Sequence, residues 1–302
     1  MLKEMRFSPF RRTPRNWLAL AGLLAFALAA ARAQSPVITL TPAVVVAGSP
    51  ELIRVFASDA AAIDGDWLDR KLEFFRGLNG RGWFALAGVD VDAPVGPSEL
   101  RITIHDAKGG TRALSRTIRI HPAHYRTASL TVAPQYVQPG PEELKQIAAD
   151  QVLIQKIFAV SAPQPLWKGN FRVPVDSPQS EPFGTRRIFN GVLASNHKGL
   201  DFRAKPGTPV RAGNSGVVVL AQPLYYAGNC VVIDHGLGFF TLSMHLSQIS
   251  VREGQHVARG QRLGLSGATG RVTGPHLHWA IRWQGAFLDP AKLLHLDLSA
   301  AR

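Results

Sequence analysis

The chain predicts a mainly β protein built in two parts around one long helix, and three observations carry that expectation. Short runs rich in Val, Ile, Thr and Phe recur along most of the 302 residues, punctuated by Gly, Pro and Asn clusters. Only one segment, 139–159, holds an extended helical spacing of apolar residues. The β-type runs fall on both sides of it, and a chain of this length can bury two cores.

The first 33 residues stand apart. Lys3, Arg6, Arg11, Arg12 and Arg15 precede an apolar run from Trp17 to Ala31 that is short for a bilayer span, and small residues Ala31 and Ala33 close it. This is the pattern of a secretory signal peptide over 1–33, with a retained anchor as the other reading, and either places the body outside the cytoplasm, in a periplasm or cell envelope. Residues 1–33 carry six Lys/Arg and one Glu of a formal +13, which leaves the remainder at +8. An exported basic chain suits a polyanionic envelope. Nucleic acid is not an expected partner, because the cations are scattered and no nucleic-acid module can be recognised. The single cysteine, Cys230, forbids an internal disulfide and lies in an apolar run, where a buried small side chain is the expected role and a nucleophile the sharper alternative. No cysteine follows the apolar run, so a lipid anchor there is not expected and any membrane contact is through the leading segment.

Residues 34–125 hold six or seven short strand-like runs separated by turns such as "GLNGRG" and "DAKGGT". Alternation is clear at Leu100, Ile102 and Ile104, and again at Ile118 and Ile120. The expectation is an N-terminal immunoglobulin-like sandwich without visible chemistry; its histidines, His105, His121 and His124, read as surface or packing residues. Residues 126–165 form a connector with a helix. Pro141 suits the first helical position, and Glu142 and Glu143 suit the positive end of the dipole. Leu144, Ile147, Ala148, Ile154, Ile157 and Phe158 recur at helical spacing and are expected to pack against a domain.

From 166 to 302 the pattern is β with frequent glycine, and the chemistry-bearing residues gather here. His276 and His278 flank one residue in "GPHLHWAI", so a strand aims both imidazoles at one face. His197 and Asp201 in "NHKGLDF" are an even four residues apart, and Gly199 argues against a helix there, so a strand is again expected to put both on one face. Two histidines and an aspartate can make an open zinc site, and His245 in "LSMHLS" is a further candidate member. His235, His256 and His295 read as structural, as do Asp234 and Asp289. "GLSGATGRVTG" lacks the lysine and helix of a phosphate loop and is expected to shape a substrate groove.

The run "VREGQHVARGQRLG" is similar to the hairpins of lipoyl- and biotinyl-carrier domains, but its turns offer no lysine to modify, so only the compact β architecture carries over. "HKGLD", "MHLS" and "GPHLHW", in that order, resemble the signature of the lysostaphin/LytM-type zinc peptidoglycan endopeptidases, over about residues 171–292. The resemblance implies a C-terminal LytM-type antiparallel β domain with lipoyl-like hairpins. It implies zinc held by His197, Asp201 and His278, with His245 and His276 catalytic, and it makes Asn190 a candidate extra ligand of a latent form. It further implies an exported endopeptidase that hydrolyses peptide crosslinks or stem peptides of bacterial peptidoglycan, with envelope regulatory proteins as possible partners. Crosslinks between D-alanine and diaminopimelate and glycyl bridges both stay open; composition without a lipid-anchor cysteine favours the former. The alternative is a non-catalytic LytM-type envelope protein that activates a separate amidase. All three ligands and both extra histidines are present, which favours the enzyme over that alternative and over an envelope scaffold.

Overall fold

The structure is a computed structural model that describes residues 36–78, 80 and 82–301, together with the backbone but not the side chains of 193 and 194. The expected signal segment lies outside the described residues. Among those described, no helix is long and apolar enough to cross a membrane.

The N-terminal strands form two sheets. One orders β1 (Val37–Thr41), β3 (Pro50–Phe56), β7 (Trp83–Gly88) and β6 (Phe75–Arg76); the other orders β2 (Val45–Val46), β9 (Thr111–His121), β8 (Gly96–Asp106), β4 (Ala60–Trp67) and β5 (Arg70–Glu73). Their inward residues share a core: Leu100, Ile102 and Ile104 of β8 are buried, as are Ile53 and Val55 of β3. That is the outcome of a two-residue pleat with one apolar face. β7 is the exception, with all six residues buried. Its far face is covered by the C-terminal region, where Leu288 packs on Gly88 so closely that a Cβ there would meet Leu288 Cδ2 at 2.4 Å.

The connector is not a free tether. β10 (Thr127–Leu130) pairs in parallel with β11 (Arg186–Phe189), which pairs with β12 (Leu193–Asn196). α1 (Pro141–Phe158) lies on the outside of the large sheet, with Leu153, Ile154, Ile157 and Phe158 against Leu220, Val232 and Phe240. The packing stripe differs from the sequence expectation at its N-terminal end. Leu144 is 53% exposed and Ala148 is exposed too, and the stripe instead includes Asp150, whose carboxylate accepts a hydrogen bond from the Tyr225 N–H at 2.6 Å. Asp150, three residues after Ile147 and four before Ile154, thus adds a polar member with a backbone partner to that face.

The C-terminal sheet runs β13 (Leu200–Phe202), β20 (Leu277–Trp283), β17 (Phe239–Ile249), β16 (Gly228–Asp234), β15 (Gly216–Leu224) and β18 (His256–Val257). β14 (Pro209–Arg211) pairs with β19 (Arg262–Ser266), which also pairs with β17, and β21 (Ala286–Leu288) extends β20 before the short α2 (Pro290–His295). This region joins the sandwich through a common apolar cluster and through backbone contacts, among them Asp289 N–H to Gly48 O at 2.8 Å. The described residues pack as one compact unit.

Candidate metal and catalytic site

Three strands bring the site together by register. In β13 and β20, Asp201 stands directly opposite His278, and across β17 Met244 stands opposite His278 on its other side. His245 follows Met244 where the β16–β17 register slips, and its backbone is left-handed at φ 63°. Such a bulge re-aims a side chain at the cost of local strain, a cost usually found at functional sites.

His197 arrives differently from the expectation. It and Asp201 do not share a strand face: β12 ends at Asn196, the chain bends at Lys198 and Gly199, and β13 begins at Leu200. The bend is possible because residue 199 is glycine. A Cβ there would lie 2.4 Å from His278 Nε2 and 2.8 Å from the Trp279 carbonyl oxygen. The His278 ring fills that space and so turns its other nitrogen, Nδ1, toward Asp201.

His197 Nε2, Asp201 Oδ1 and His278 Nδ1 converge. The Oδ1 lies 3.0 Å from His197 Nε2 and 2.8 Å from His278 Nδ1, and the two nitrogens are 2.9 Å apart. All three side chains are buried. The His197 Nδ1–H donates to the Pro182 carbonyl at 2.9 Å, which leaves Nε2 of the neutral ring with a lone pair. A lone pair facing a carboxylate oxygen is repulsive unless a cation lies between them. Two imidazole nitrogens and one carboxylate oxygen, each able to point a lone pair at a common centre, fit zinc in its open three-ligand form. Burial opposes the charge on Asp201, but a proton or cation held between its carboxylate and the facing His197 and His278 nitrogens outweighs burial and holds the carboxyl well below the usual range. Burial also keeps His278 neutral, lowering its pKa to about 4.

The outer oxygen of Asp201 is held as well. Arg187 on β11 donates from Nη2 to Asp201 Oδ2 at 2.6 Å and from Nε to Glu181 at 3.0 Å. This clamp fixes the carboxylate's rotation, the usual task of groups behind a metal ligand. Sequence reasoning missed Arg187 and Glu181 as site residues, because each is a single residue with no spacing signature.

His245 and His276 flank the cluster, with ring centroids 4.9 Å apart. The His245 Nδ1–H donates to the Thr269 carbonyl at 2.8 Å, so Nε2 carries the lone pair. Burial, then the neighbouring His278 and His276, lower its pKa to about 3 and keep the ring neutral. The His276 Nδ1–H likewise donates to the Gly274 carbonyl at 2.8 Å, and its Nε2 is 3.7 Å from Asp201 Oδ1. Asn190 is elsewhere. Its side-chain amide clamps the connector, accepting from the Val132 N–H and donating to the Val132 carbonyl, both at 3.0 Å, so it is not an extra ligand here. Cys230 is buried with its thiol pushed up to about 12 by that burial, which removes it as a nucleophile. His235 is held between the Ser215 carbonyl and the Thr241 hydroxyl, each at 2.8 Å.

The cluster opens into a cleft of about 670 Å³ whose walls include His245 and His278, Lys198 and Arg271, and Leu130 and Val132 of the connector.

Comparison with known proteins agrees with this geometry. Residues 195–290 match the model of peptidase family M23. The peptidoglycan DD-endopeptidase ShyA of Vibrio cholerae is 50% identical over 124 residues, which are 40% of this chain and 29% of that protein. The DD-carboxypeptidase/endopeptidase Mpg of Neisseria meningitidis is 40% identical over 42% of this chain and 30% of that protein. The chain therefore spans less than a third of the length of these curated relatives. A solved structure described as a peptidase M23 from Pseudomonas aeruginosa superposes with a TM-score of 0.64 at 29% identity, covering 82% of this chain and 94% of that one. The match of residues 195–290, which contain the converging His–Asp–His cluster and both flanking histidines, makes this region a peptidase M23 domain.

Proposed function

We propose that this protein is an exported zinc endopeptidase that hydrolyses peptide crosslinks of bacterial peptidoglycan, acting in the periplasm or cell envelope. The observation that carries the reading is the convergence of His197 Nε2, Asp201 Oδ1 and His278 Nδ1 beside two further histidines at the base of an open cleft. The names of the two curated relatives support peptidoglycan as substrate and a D-alanyl bond as the target. That reading favours crosslinks between D-alanine and diaminopimelate over glycyl bridges. The signal-like residues 1–33 support export.

His197, Asp201 and His278 would hold zinc, which would supply Lewis acidity toward water and the scissile carbonyl. The residues around it do the rest. Arg187 keeps Asp201 rotated for ligation. His245, neutral and with its Nε2 lone pair free of protein donors, takes the proton of the attacking water and returns it to the leaving amine. His276, on the same side of the Asp201 carboxylate, steadies the negative oxygen that develops on the carbonyl. A non-catalytic activator of a separate amidase would have no use for both flanking histidines, and that reading is not favoured.

The test is zinc content and digestion of purified diderm peptidoglycan by the full chain, with released fragments identified by mass spectrometry. His278→Ala is expected to lose zinc and activity together. His245→Ala is expected to keep zinc and lose about 10²–10⁴-fold in rate, the range for a proton-transfer group. Full lytic activity in either variant would overturn the assigned roles. Stoichiometric zinc with no new peptide termini would overturn the endopeptidase.

A further inference from the structure

One cation in the cleft has no acidic partner. Arg271 lies half-buried in the wall, and its guanidinium makes no hydrogen bond or ion pair among the described residues. Lys198 also lines the cleft but is exposed, where water solvates it. Arg271 is packed against aromatic rings instead. Its guanidinium carbon sits 4.6 Å from the ring centre of Phe189 and 4.6 Å from that of Tyr226. Its backbone is fixed too: the Arg271 N–H donates to the Tyr226 carbonyl at 2.9 Å, and Gly270 packs so tightly that a Cβ would fall 2.3 Å from Gly228 N.

A guanidinium packed against aromatic rings spends no acceptor-bound N–H on them and keeps its edge N–H groups for hydrogen bonding. That edge is a planar fork matched to a carboxylate. The crosslink of the proposed reaction offers such a group beside the scissile bond. In a D-alanyl–diaminopimelate crosslink the leaving nitrogen is attached to a carbon that also bears a free carboxylate. A terminal D-alanyl-D-alanine has the same arrangement, whereas the leaving nitrogen of an internal glycyl bridge has no charged group on its carbon.

We infer that Arg271 is the specificity-determining residue of this cleft, binding the carboxylate on the carbon that carries the leaving nitrogen. The inference rests on the endopeptidase reading above. It explains how one site selects D-alanyl crosslinks against glycyl bridges: a substrate without the carboxylate leaves a partly desolvated cation unpaired, and a site built for a polar partner rejects the analogue that lacks it.

The experiment uses the zinc-loaded full chain and two synthetic crosslinked peptides that differ only in whether that carboxylate is free or amidated. The native protein is expected to prefer the free acid by about 100-fold in kcat/KM. Arg271→Met, which fills the same slot without charge, is expected to bring the preference close to unity, with the loss on the free acid falling on KM. Arg271→Lys keeps the charge without the fork and is expected to retain about a tenth of the native preference. Equal cleavage of both peptides by the native protein, or a native preference that survives in Arg271→Met, would overturn the assignment while leaving the endopeptidase standing. If Arg271→Met cleaves neither peptide, Arg271→Lys decides: a reduced preference supports the assignment and an unchanged one overturns it. A native protein that cleaves neither peptide overturns the endopeptidase reading, and the role of Arg271 with it.

Discussion

The sandwich and the C-terminal sheet use the same strand grammar to opposite ends. In the sandwich, polar residues alternate outward: His105 pairs with Asp64 at 2.7 Å on the surface, and Arg101 reaches Glu99 and Asp66 there. In the C-terminal sheet the polar residues turn inward. His197, Asp201, His245 and His278 are buried, and three of them are oriented by a partner behind: His197 by the Pro182 carbonyl, His245 by the Thr269 carbonyl and Asp201 by Arg187. Burying that many ionisable groups costs free energy unless each is paired, so their convergence marks a site rather than a core. In the sandwich the buried Glu51 accepts a hydrogen bond from the Ser49 hydroxyl at 2.6 Å and stands outside any such cluster among the described residues.

Two glycines sharpen this contrast most strongly. Gly199 and Gly88 both lack space for a Cβ, but they press on different things. At Gly199 the obstacles are the His278 ring and the Trp279 carbonyl, neither of which can yield without moving a proposed zinc ligand. At Gly88 the obstacle is the tip of the Leu288 side chain, which can rotate. Gly199→Ala is expected to weaken zinc binding by about 100-fold or more, the upper range for disturbing a ligand's support. Gly88→Ala is expected to cost about 1–2 kcal/mol of stability, as overpacking does, with zinc retained. Zinc titration and thermal melts of the two variants check both outcomes. Unchanged zinc affinity in Gly199→Ala would show that the glycine does not set the His278 ring.

That pair also marks how far the sequence could be read. The "HKGLD", "MHLS" and "GPHLHW" stretches contain every histidine and aspartate that converges in the structure, because those residue types at those spacings are rare in strands. The path was not legible. An even spacing suggests one strand for His197 and Asp201, yet a bend at Gly199 separates them, and the Asp201–His278 register brings the converging side chains together. Arg187 and Arg271 were invisible as site residues, since a lone arginine acquires meaning only from what the fold sets beside it. Asn190 looked like a ligand from its place before "HKGLD" and proves to be a clamp on Val132. The mainly β class was legible from turns and alternation. The seating of the connector strand on β11 was not, since parallel pairing leaves no mark in local sequence.

A smaller effect separates burial from catalysis within the C-terminal sheet. His235 is fully enclosed and lies outside the His–Asp–His cluster, and its pKa is lowered to about 4, mainly by burial. The unfolded chain holds this proton near the ordinary histidine pKa of 6.5, so between the two values the unfolded state binds more protons than the folded one. The stabilising contribution is therefore fully present above pH 6.5 and is lost as pH falls through about 4. The size is about 3 kcal/mol at one pKa unit per 1.36 kcal/mol. His235→Gln cannot titrate, and urea unfolding at pH 7 and pH 4 is expected to show a smaller acid loss by that amount. An identical acid loss in both proteins would assign the pH dependence to other groups.

The smallest expected effect tests the passive half of the comparison. Asp64 is 77% exposed in its side chain and its partner His105 is 37% exposed, so the pair gains little from attraction through water and loses side-chain freedom by forming. Asp64→Asn is expected to change stability by less than about 0.5 kcal/mol, as exposed ion pairs do. Peptidoglycan digestion should be unaltered, because β4 reaches the cleft by neither a side chain nor a shared strand pair. Urea unfolding and a digestion rate on the same preparation measure both. A loss well above 1 kcal/mol, or a slower digestion at unchanged stability, would mean that this surface takes part in what the C-terminal sheet does, and the division between a supporting sandwich and a reacting sheet would fail at that residue.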